Sequence, residues 1–338
     1  MKILVTGGTG YIGSHTIVDL LQNGFEVVSA DNFSNSRPEA LDGIEAITGV
    51  RVVNYNIDLA DREATLAMFE KEKFDGAIHF AALKLVGESV QMPLEYYRNN
   101  VNSLLNVIEG LKRQGTGNLV FSSSCSVYGN ADELPVTEAT PRKVAESPYA
   151  LTKQMGEDIL TDFCKTTPDF KAVLLRYFNP AGAHASGKIG EDPSNPAQSL
   201  VPVITQAAAG KRGAMTVFGT DYDTRDGSCV RDYIHVEDLA HAHTLALQYL
   251  LGGKATDNPA LFNLGIGEGL TVLEVINAFE KVSGVKLPYE LGPRRAGDVV
   301  AVYADRSKAT DELGWEPSRD VEEIMRTAWA WENKGGKG

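Results

Sequence analysis

At 338 residues, with 43% hydrophobic and 23% charged side chains, the chain has material for one large or two medium globular domains. Its 45 acidic and 32 basic residues leave a net charge of -13, the wrong sign for binding nucleic acid or an anionic membrane through a basic surface. No apolar run approaches the roughly 18 residues of a membrane span, and Cys125, Cys164 and Cys229 are far apart with no metal-ligand spacing, which fits a reduced, cytoplasmic setting.

The chain opens as a strand, KILVTG, that runs into GGTGYIG and an apolar helical pattern near residues 13–23. A strand broken by glycines is not the pattern of a signal peptide. Strand candidates EVVSADN, RVVNYNID, DGAIHFAA, NLVFSSS and AVLLRYFN follow, with helix candidates near 61–73, 94–114 and 147–166. Strands that are apolar throughout and alternate with helices suit a parallel sheet covered on both faces. The expected fold is therefore α/β, a doubly wound parallel-sheet Rossmann domain over residues 1–180. A smaller α+β domain is expected over residues 181–338. It begins with GAHASGKIGEDPSNPAQS, a loop long enough to need a functional reason. A helix near 200–210, the strand MTVFG and a second polar loop, TDYDTRDGSCVRDY, come next. IHVEDLAHAHTLALQYLL reads as a strand end and a helix, and ALFNLGIG, a helix near 271–283, a strand at LPYEL and two helical patterns complete the chain. The border is not clean, because a return of the chain to the first domain is expected within 231–265.

Gly8, Gly10 and Gly13 fit G-x-G-x-x-G, and Gly7, Gly10 and Gly13 fit G-x-x-G-x-x-G. A loop without side chains lets backbone N–H groups approach phosphate oxygens, and the helix N-terminus behind it adds partial positive charge. Glycines also serve ordinary turns. Here a strand precedes, a helix follows, and Asp31 ends the second strand 18 residues past Gly13. A carboxylate there binds a ribose diol and repels a 2′-phosphate, which favours NAD over NADP. No G-K-[ST] follows, so this is not a nucleotide-hydrolysing P-loop.

NLVFSSSCSVYG ends a strand in hydroxyls, and SPYALTKQ opens the next helix with Tyr149 and Lys153 four apart, on one face. A phenol with a pKa near ~10 needs roughly 4 kcal/mol of differential stabilisation to act as a base at about pH 7. The Lys153 ammonium and a nicotinamide cation could supply it, while Ser124 holds a substrate hydroxyl in line. Tyr-x-x-x-Lys alone is more often a surface pair; beside a dinucleotide fold and a serine run it reads as catalytic. His79, before FAA, reads as a packed strand residue, and no metal site is expected.

The motifs TGGTGYIGSH, HFAALKLVGESV, FSSSCSVYG, SPYALTK, LLRYFNPAGAH, VRDYIHVEDLA and RRAGDVVAVYA resemble the extended short-chain dehydrogenase/reductases, and within them the UDP-glucose 4-epimerase family. The resemblance runs from the first residues to about 317. It implies an isomerase with tightly bound NAD, recycled in each turnover, a UDP-hexose substrate and a homodimer. It also implies that Ser124, Tyr149 and Lys153 are catalytic. The NAD site would draw on Gly7, Gly10, Tyr11, Ile12, Gly13, Asp31, Asn32, Asn35 and Ser36 from the first strands. Further along, Asp58, Leu59, Phe80, Ala81, Ala82, Lys84, Asn99, Ser122, Tyr149, Lys153 and Tyr177 would complete it. Lys84, Ser124, Tyr149, Phe178, Asn179, Ser199, Leu200, Phe218, Arg231, Tyr233, Arg295, Asp298 and Val302 would surround the sugar nucleotide. The family pattern selects Arg295 over its neighbour Arg294. Ser199 stands where many members carry asparagine, and Val302 where some carry tyrosine, so the pocket is expected to admit N-acetylated sugars as well. A 4,6-dehydratase would carry an acid beside the hydroxyls, which SCSVYG lacks; a related reductase or C5-epimerase, and a non-enzymatic NAD-sensing module, remain as alternatives.

Overall fold

The computed structural model describes residues 1–192, 197–295 and 299–335. The chain begins β1 (Lys2–Thr6), α1 (Tyr11–Gln22), β2 (Glu26–Ala30), α2 (Glu39–Thr48), β3 (Val53–Tyr55), α3 (Arg62–Lys71) and β4 (Gly76–His79). It continues α4 (Val86–Gln91), α5 (Pro93–Gln114), β5 (Asn118–Ser122), α6 (Pro148–Thr166) and β6 (Lys171–Tyr177). Next come β7 (Asn179–Ala181), α7 (Leu200–Ala208), β8 (Met215–Phe218), β9 (Val230–His235), α8 (Val236–Leu251) and β10 (Ala260–Leu264). The last elements are β11 (Gly269–Thr271), α9 (Val272–Ser283), β12 (Tyr289–Gly292), β13 (Ala301–Val302) and α10 (Val321–Glu332).

Seven parallel strands form the main sheet in the order β10-β6-β5-β4-β1-β2-β3. Alternating side chains serve opposite layers. Ile3 and Val5 pack with Ile17, Leu20, Ile44 and Leu247 from α1, α2 and α8. Leu4 between them packs with Met68, Val107 and Leu160 from α3, α5 and α6. Burial on both faces is why the middle positions of β1 are apolar one after another. The order reverses at β1, whose neighbours β2 and β4 are followed outward in opposite directions, so a crevice opens beyond the carboxyl ends of β1 and β4. β10 returns from the later chain to pair with β6, delivered by α8.

The second layer system is β11-β9-β13, with β7 paired to β9, beside a separate parallel pair of β8 and β12. α7, α9 and α10 pack on it through Ile204, Phe279 and Ile324. α2 was not among the expected helices. Its sequence EALDGIEAIT is amphipathic, with Leu41 and Ile44 in the core, and carries Gly43, which is there because a Cβ would stand 2.5 Å from the Ile189 side chain and 2.7 Å from the Lys188 carbonyl. That is a tertiary demand no local propensity reveals.

Four histidines are sealed in this fold. Burial pushes His15, His79 and His235 down to about 3, and His243 down to about 4. Unfolded histidine titrates near ~6.5, so below that pH the unfolded chain binds protons that the folded chain refuses. Stability present above about pH 6.5 is therefore lost as pH falls through the window down to about 4 or 3, by about 1.4 kcal/mol per pH unit per histidine. The urea midpoint should fall steeply between about pH 7 and pH 5; an unchanged midpoint would show that other groups govern acid stability.

Candidate active site

The glycine turn closes without side chains. Gly10 N–H donates to Gly7 O at 3.1 Å, and a Cβ on Gly13 would stand 2.2 Å from that same carbonyl. Gly7 has φ +68°, and a Cβ there would meet the backbone nitrogen of Ala81 at 2.9 Å. α1 begins here with no side-chain cap and no acidic residue in its first turn, so its leading N–H groups have no side-chain partner. A dinucleotide pyrophosphate is the group such a cradle fits. Asp31 is fixed on the adjoining wall, with Oδ1 accepting from Phe33 N–H and the Ser36 hydroxyl at 2.9 Å each and Oδ2 from Thr9 N–H at 3.2 Å. A carboxylate has about four acceptor positions, which leaves capacity for a ribose hydroxyl.

Every residue expected around the cofactor lines this one cleft, from the glycine turn through Asp31, Asp58, Phe80, Lys84 and Asn99 to Ser122, Tyr149, Lys153 and Tyr177. Ala30, Ser34, Ile57, Leu83 and Ser103 line it too and were not anticipated. Ala30 ends β2 and Ile57 lies just beyond β3, so the strand-end rule for ligands in open α/β sheets could have found those two.

α6 starts as its sequence prescribes. Ser147 caps it, accepting from Ala150 N–H at 3.2 Å, and Pro148 takes the first position, which places Tyr149 in the first turn. One turn on, Lys153 donates from Nζ to Ser122 O at 2.6 Å and lies 5.8 Å from the centre of the Tyr149 ring. The Ser122 hydroxyl meets the Tyr177 hydroxyl at 2.5 Å. Ser124, the cap of a short 3-10 turn over Cys125–Tyr128, accepts from Ser126 N–H at 3.2 Å and lies near the Tyr149 phenol. Burial drives the phenol well above its ordinary range and Tyr177 adds to this, while Ser124 works the other way. Burial pushes the Lys153 amine down to about 8, opposed by Glu157. The protein matrix alone therefore does not bring Tyr149 toward neutrality, because loss of water outweighs the ammonium.

Of the residues expected around a sugar nucleotide, Lys84 and Tyr149 also line the cleft. Arg231 and Tyr233 lie on β9, where Asn179 pairs with Tyr233 and Val302 with Arg231. Arg231 Nη1 donates to the carbonyls of Val230 and Val299, both at 2.8 Å. Val302 and Phe178 are buried together with Val127, Tyr128 and Val136. Ser199 occupies the N-cap of α7 without a side-chain capping bond, and Leu200 follows as the first helical residue. Arg295 lies 5.4 Å from the centre of the Phe218 ring, whereas Arg294 pairs with Asp221 at 2.8 Å and stacks on Tyr222. Asp298 lies outside the described residues.

The long polar loop lies against the glycine turn. Gly182 O accepts from the Tyr11 hydroxyl at 2.6 Å, Glu191 reaches Lys84 at 3.5 Å and Asp192 reaches Arg37 at 3.2 Å. Trp331 on α10 donates to Glu191 O at 3.1 Å, so the C-terminal helix braces this cover.

Comparison with known proteins places this architecture. The model of the NAD dependent epimerase/dehydratase family matches residues 3–265. A UDP-glucose 4-epimerase of Bacillus subtilis is 48% identical over 100% of this chain and 98% of its own length. The human UDP-glucose 4-epimerase is 47% identical, over 100% of this chain and 98% of its own. A crystal structure of UDP-glucose 4-epimerase from Bifidobacterium longum, in complex with NAD+ and UDP, superposes with a TM-score of 0.94 at 44% identity, covering 100% of both chains. The chain belongs to the NAD dependent epimerase/dehydratase family and, within it, to the UDP-glucose 4-epimerases.

Proposed function

We propose that the chain interconverts UDP-glucose and UDP-galactose by inverting the sugar at C4, with NAD as a recycled cofactor. The observation that carries this reading is one cleft that holds the glycine turn, Asp31, Tyr149 and Lys153 together. Held by the glycine turn and Asp31, NAD would supply the hydride chemistry at sugar C4. Tyr149 takes the proton of the 4-hydroxyl and later gives it back, Ser124 holds that hydroxyl in line, and Lys153 stabilises the phenolate. Burial of Tyr149 keeps the proton on the phenol until cations oppose it, which suits a group that must return what it takes. The sugar turns over about its diphosphate link between the two transfers. Arg231 and Arg295 are assigned to the diphosphate, and Asn179, Leu200, Phe218 and Tyr233 to the sugar nucleotide, consistent with local cations on an acidic chain. In this reading residues 1–180 with α8 and β10 hold the cofactor, and the remainder holds the sugar nucleotide. Free Cys125, Cys164 and Cys229 support a cytoplasmic setting.

Tyr149→Phe tests the assignment. Turnover should fall by a factor of about 10² or more while UDP-sugar still binds, and near-normal kcat would remove Tyr149 from the mechanism. Wild type should epimerise UDP-galactose without added NAD and without solvent deuterium entering C4.

Two finer proposals accompany it. Val302, paired with Arg231 and 7% exposed, is smaller than tyrosine, and Ser199 is shorter than asparagine, so a sugar bearing an N-acetyl group at C2 should fit. Val302→Tyr should lose kcat/KM for UDP-N-acetylglucosamine selectively over UDP-glucose. If wild type ignores the acetylated sugars, or the variant loses both alike, the pocket is not wide. The second is a homodimer through the outer face of α4, α5 and α6, where Val90, Leu94, Leu105 and Leu151 are exposed. Leu94→Glu with Leu105→Glu should give a monomer by light scattering; an unchanged mass would place the interface elsewhere.

A further inference from the structure

We propose that Glu157, backed by Arg176, is a positioning residue that holds the Lys153 ammonium and the serine run in the alignment Tyr149 needs. The inference rests on the proton-transfer role given to Tyr149 above.

Tyr149, Lys153 and Glu157 recur every four residues along one face of α6. Glu157 is 3% exposed. Its carboxylate accepts from the Ser123 hydroxyl at 2.6 Å and from Arg176 Nε and Nη2 at 2.8 and 2.7 Å, with Arg142 at 3.4 Å. Nothing in the proposed reaction uses this buried pair. A pair so deep gains little stability over apolar residues of the same volume, so its use lies in what it holds.

The three hydroxyls of Ser122, Ser123 and Ser124 face different partners. Ser122 meets Tyr177 and Ser124 meets Tyr149, while Ser123 turns away to Glu157. Lys153 grips the carbonyl of Ser122 and Glu157 grips the hydroxyl of Ser123, so two bonds join α6 to the end of β5. Arg176 fastens the same carboxylate to β6, and its guanidinium stacks 4.8 Å from the centre of the Tyr128 ring. The position of Ser124 against Tyr149 follows from these contacts.

Charge gives the second half. Tyr149 and Glu157 from α6, the Phe121 ring and Ser122 carbonyl from β5, His79 from β4 and Tyr177 from β6 surround Lys153. His79 is kept neutral by burial, with its pKa pushed down to about 3, and among these groups Glu157 alone carries negative charge. Burial already draws the Lys153 pKa down, and Glu157 opposes it. Replacing the carboxylate by an amide makes the ammonium harder to keep and leaves the Arg176 charge behind, so Lys153 sheds its proton at lower pH.

The holoenzyme, Glu157→Gln, Glu157→Asp and Ser123→Ala are compared in two measurements. In the first, the alkaline limb of kcat should move down by about one pH unit or more in Glu157→Gln and return toward wild type in Glu157→Asp. Ser123→Ala keeps both charges, so its limb should stay in place while kcat falls about three- to tenfold at unchanged KM. The second measurement is the substrate-free tyrosinate absorbance, with the Tyr149→Phe spectrum subtracted; the Tyr149 titration should move in Glu157→Gln, because the lost carboxylate and the earlier loss of the Lys153 proton both act on the phenol. Because it needs no turnover, this readout separates failure of the present inference from failure of the epimerase reading. An unmoved limb and an unmoved phenol titration in folded Glu157→Gln overturn the proposal. Should that variant not fold, Ser123→Ala decides, and wild-type kcat there overturns it.

Discussion

The distance of 2.2 Å between a would-be Cβ of Gly13 and the carbonyl of Gly7 is the constraint from which the site follows. With no side chain at either position, β1 turns into α1 within four residues, Gly7–Gly10, and the helix N-terminus faces the carboxyl edge of the sheet. The same clearance brings Gly7 against Ala81, so the loop after β4 is packed on the turn. The floor of the cleft is therefore two loops in backbone contact, and the polar residues around it inherit their positions from that contact. A larger residue would cost more than a local clash, because the atoms it would meet are backbone and cannot rotate aside.

Much of this was legible in the sequence because the governing interactions are local. Apolar strands buried on both faces, Ser147-Pro148 at the start of α6, and Tyr149 four residues before Lys153 each follow from neighbours along the chain. The cofactor-side residues, including Asn99 on α5, fall in one cleft because they cluster just past strand ends or on adjacent helices. What was not legible depends on partners distant in sequence. α2 exists around a glycine whose reason is Ile189, 146 positions away. Similarly, the partners of Arg294, Asp221 and Tyr222, lie far back along the chain. Arg231, Phe178 and Val302 are joined by pairing between β9 and β13 and by a small buried cluster, neither of which has a periodic signature.

The chemistry of Tyr149 shows how burial and charge divide the work. In water an ammonium near a phenol changes its acidity little, because the solvent screens the pair. Burial removes that screening, yet it also disfavours the phenolate, and in this protein the second effect is the larger. Lys153 is subject to the same conflict, since burial pushes its pKa down to about 8. A nicotinamide cation held in this cleft would oppose the effect of burial on a phenol the matrix has left protonated.

The two layer systems are joined by short, buried crossings of the chain. A single residue, Phe178, separates β6 of the main sheet from β7 of the second, and β9 passes into α8 with no loop between them. Phe178 N–H donates to Leu264 O at the end of β10, and its side chain is buried with Val302. Asp232, fully buried on β9, accepts from Ile266, Gly267 and Ala304 N–H, binding the chain beyond β10 and beyond β13 to the strand that carries Arg231. No flexible linker stands at any of these crossings. The strands bearing Asn179, Arg231 and Val302 are therefore registered to the sheet bearing Ser122 by covalent continuity and buried hydrogen bonds. A reaction in which the sugar must turn over between two transfers needs such a frame: the substrate moves, and the groups that give and take its proton stay fixed.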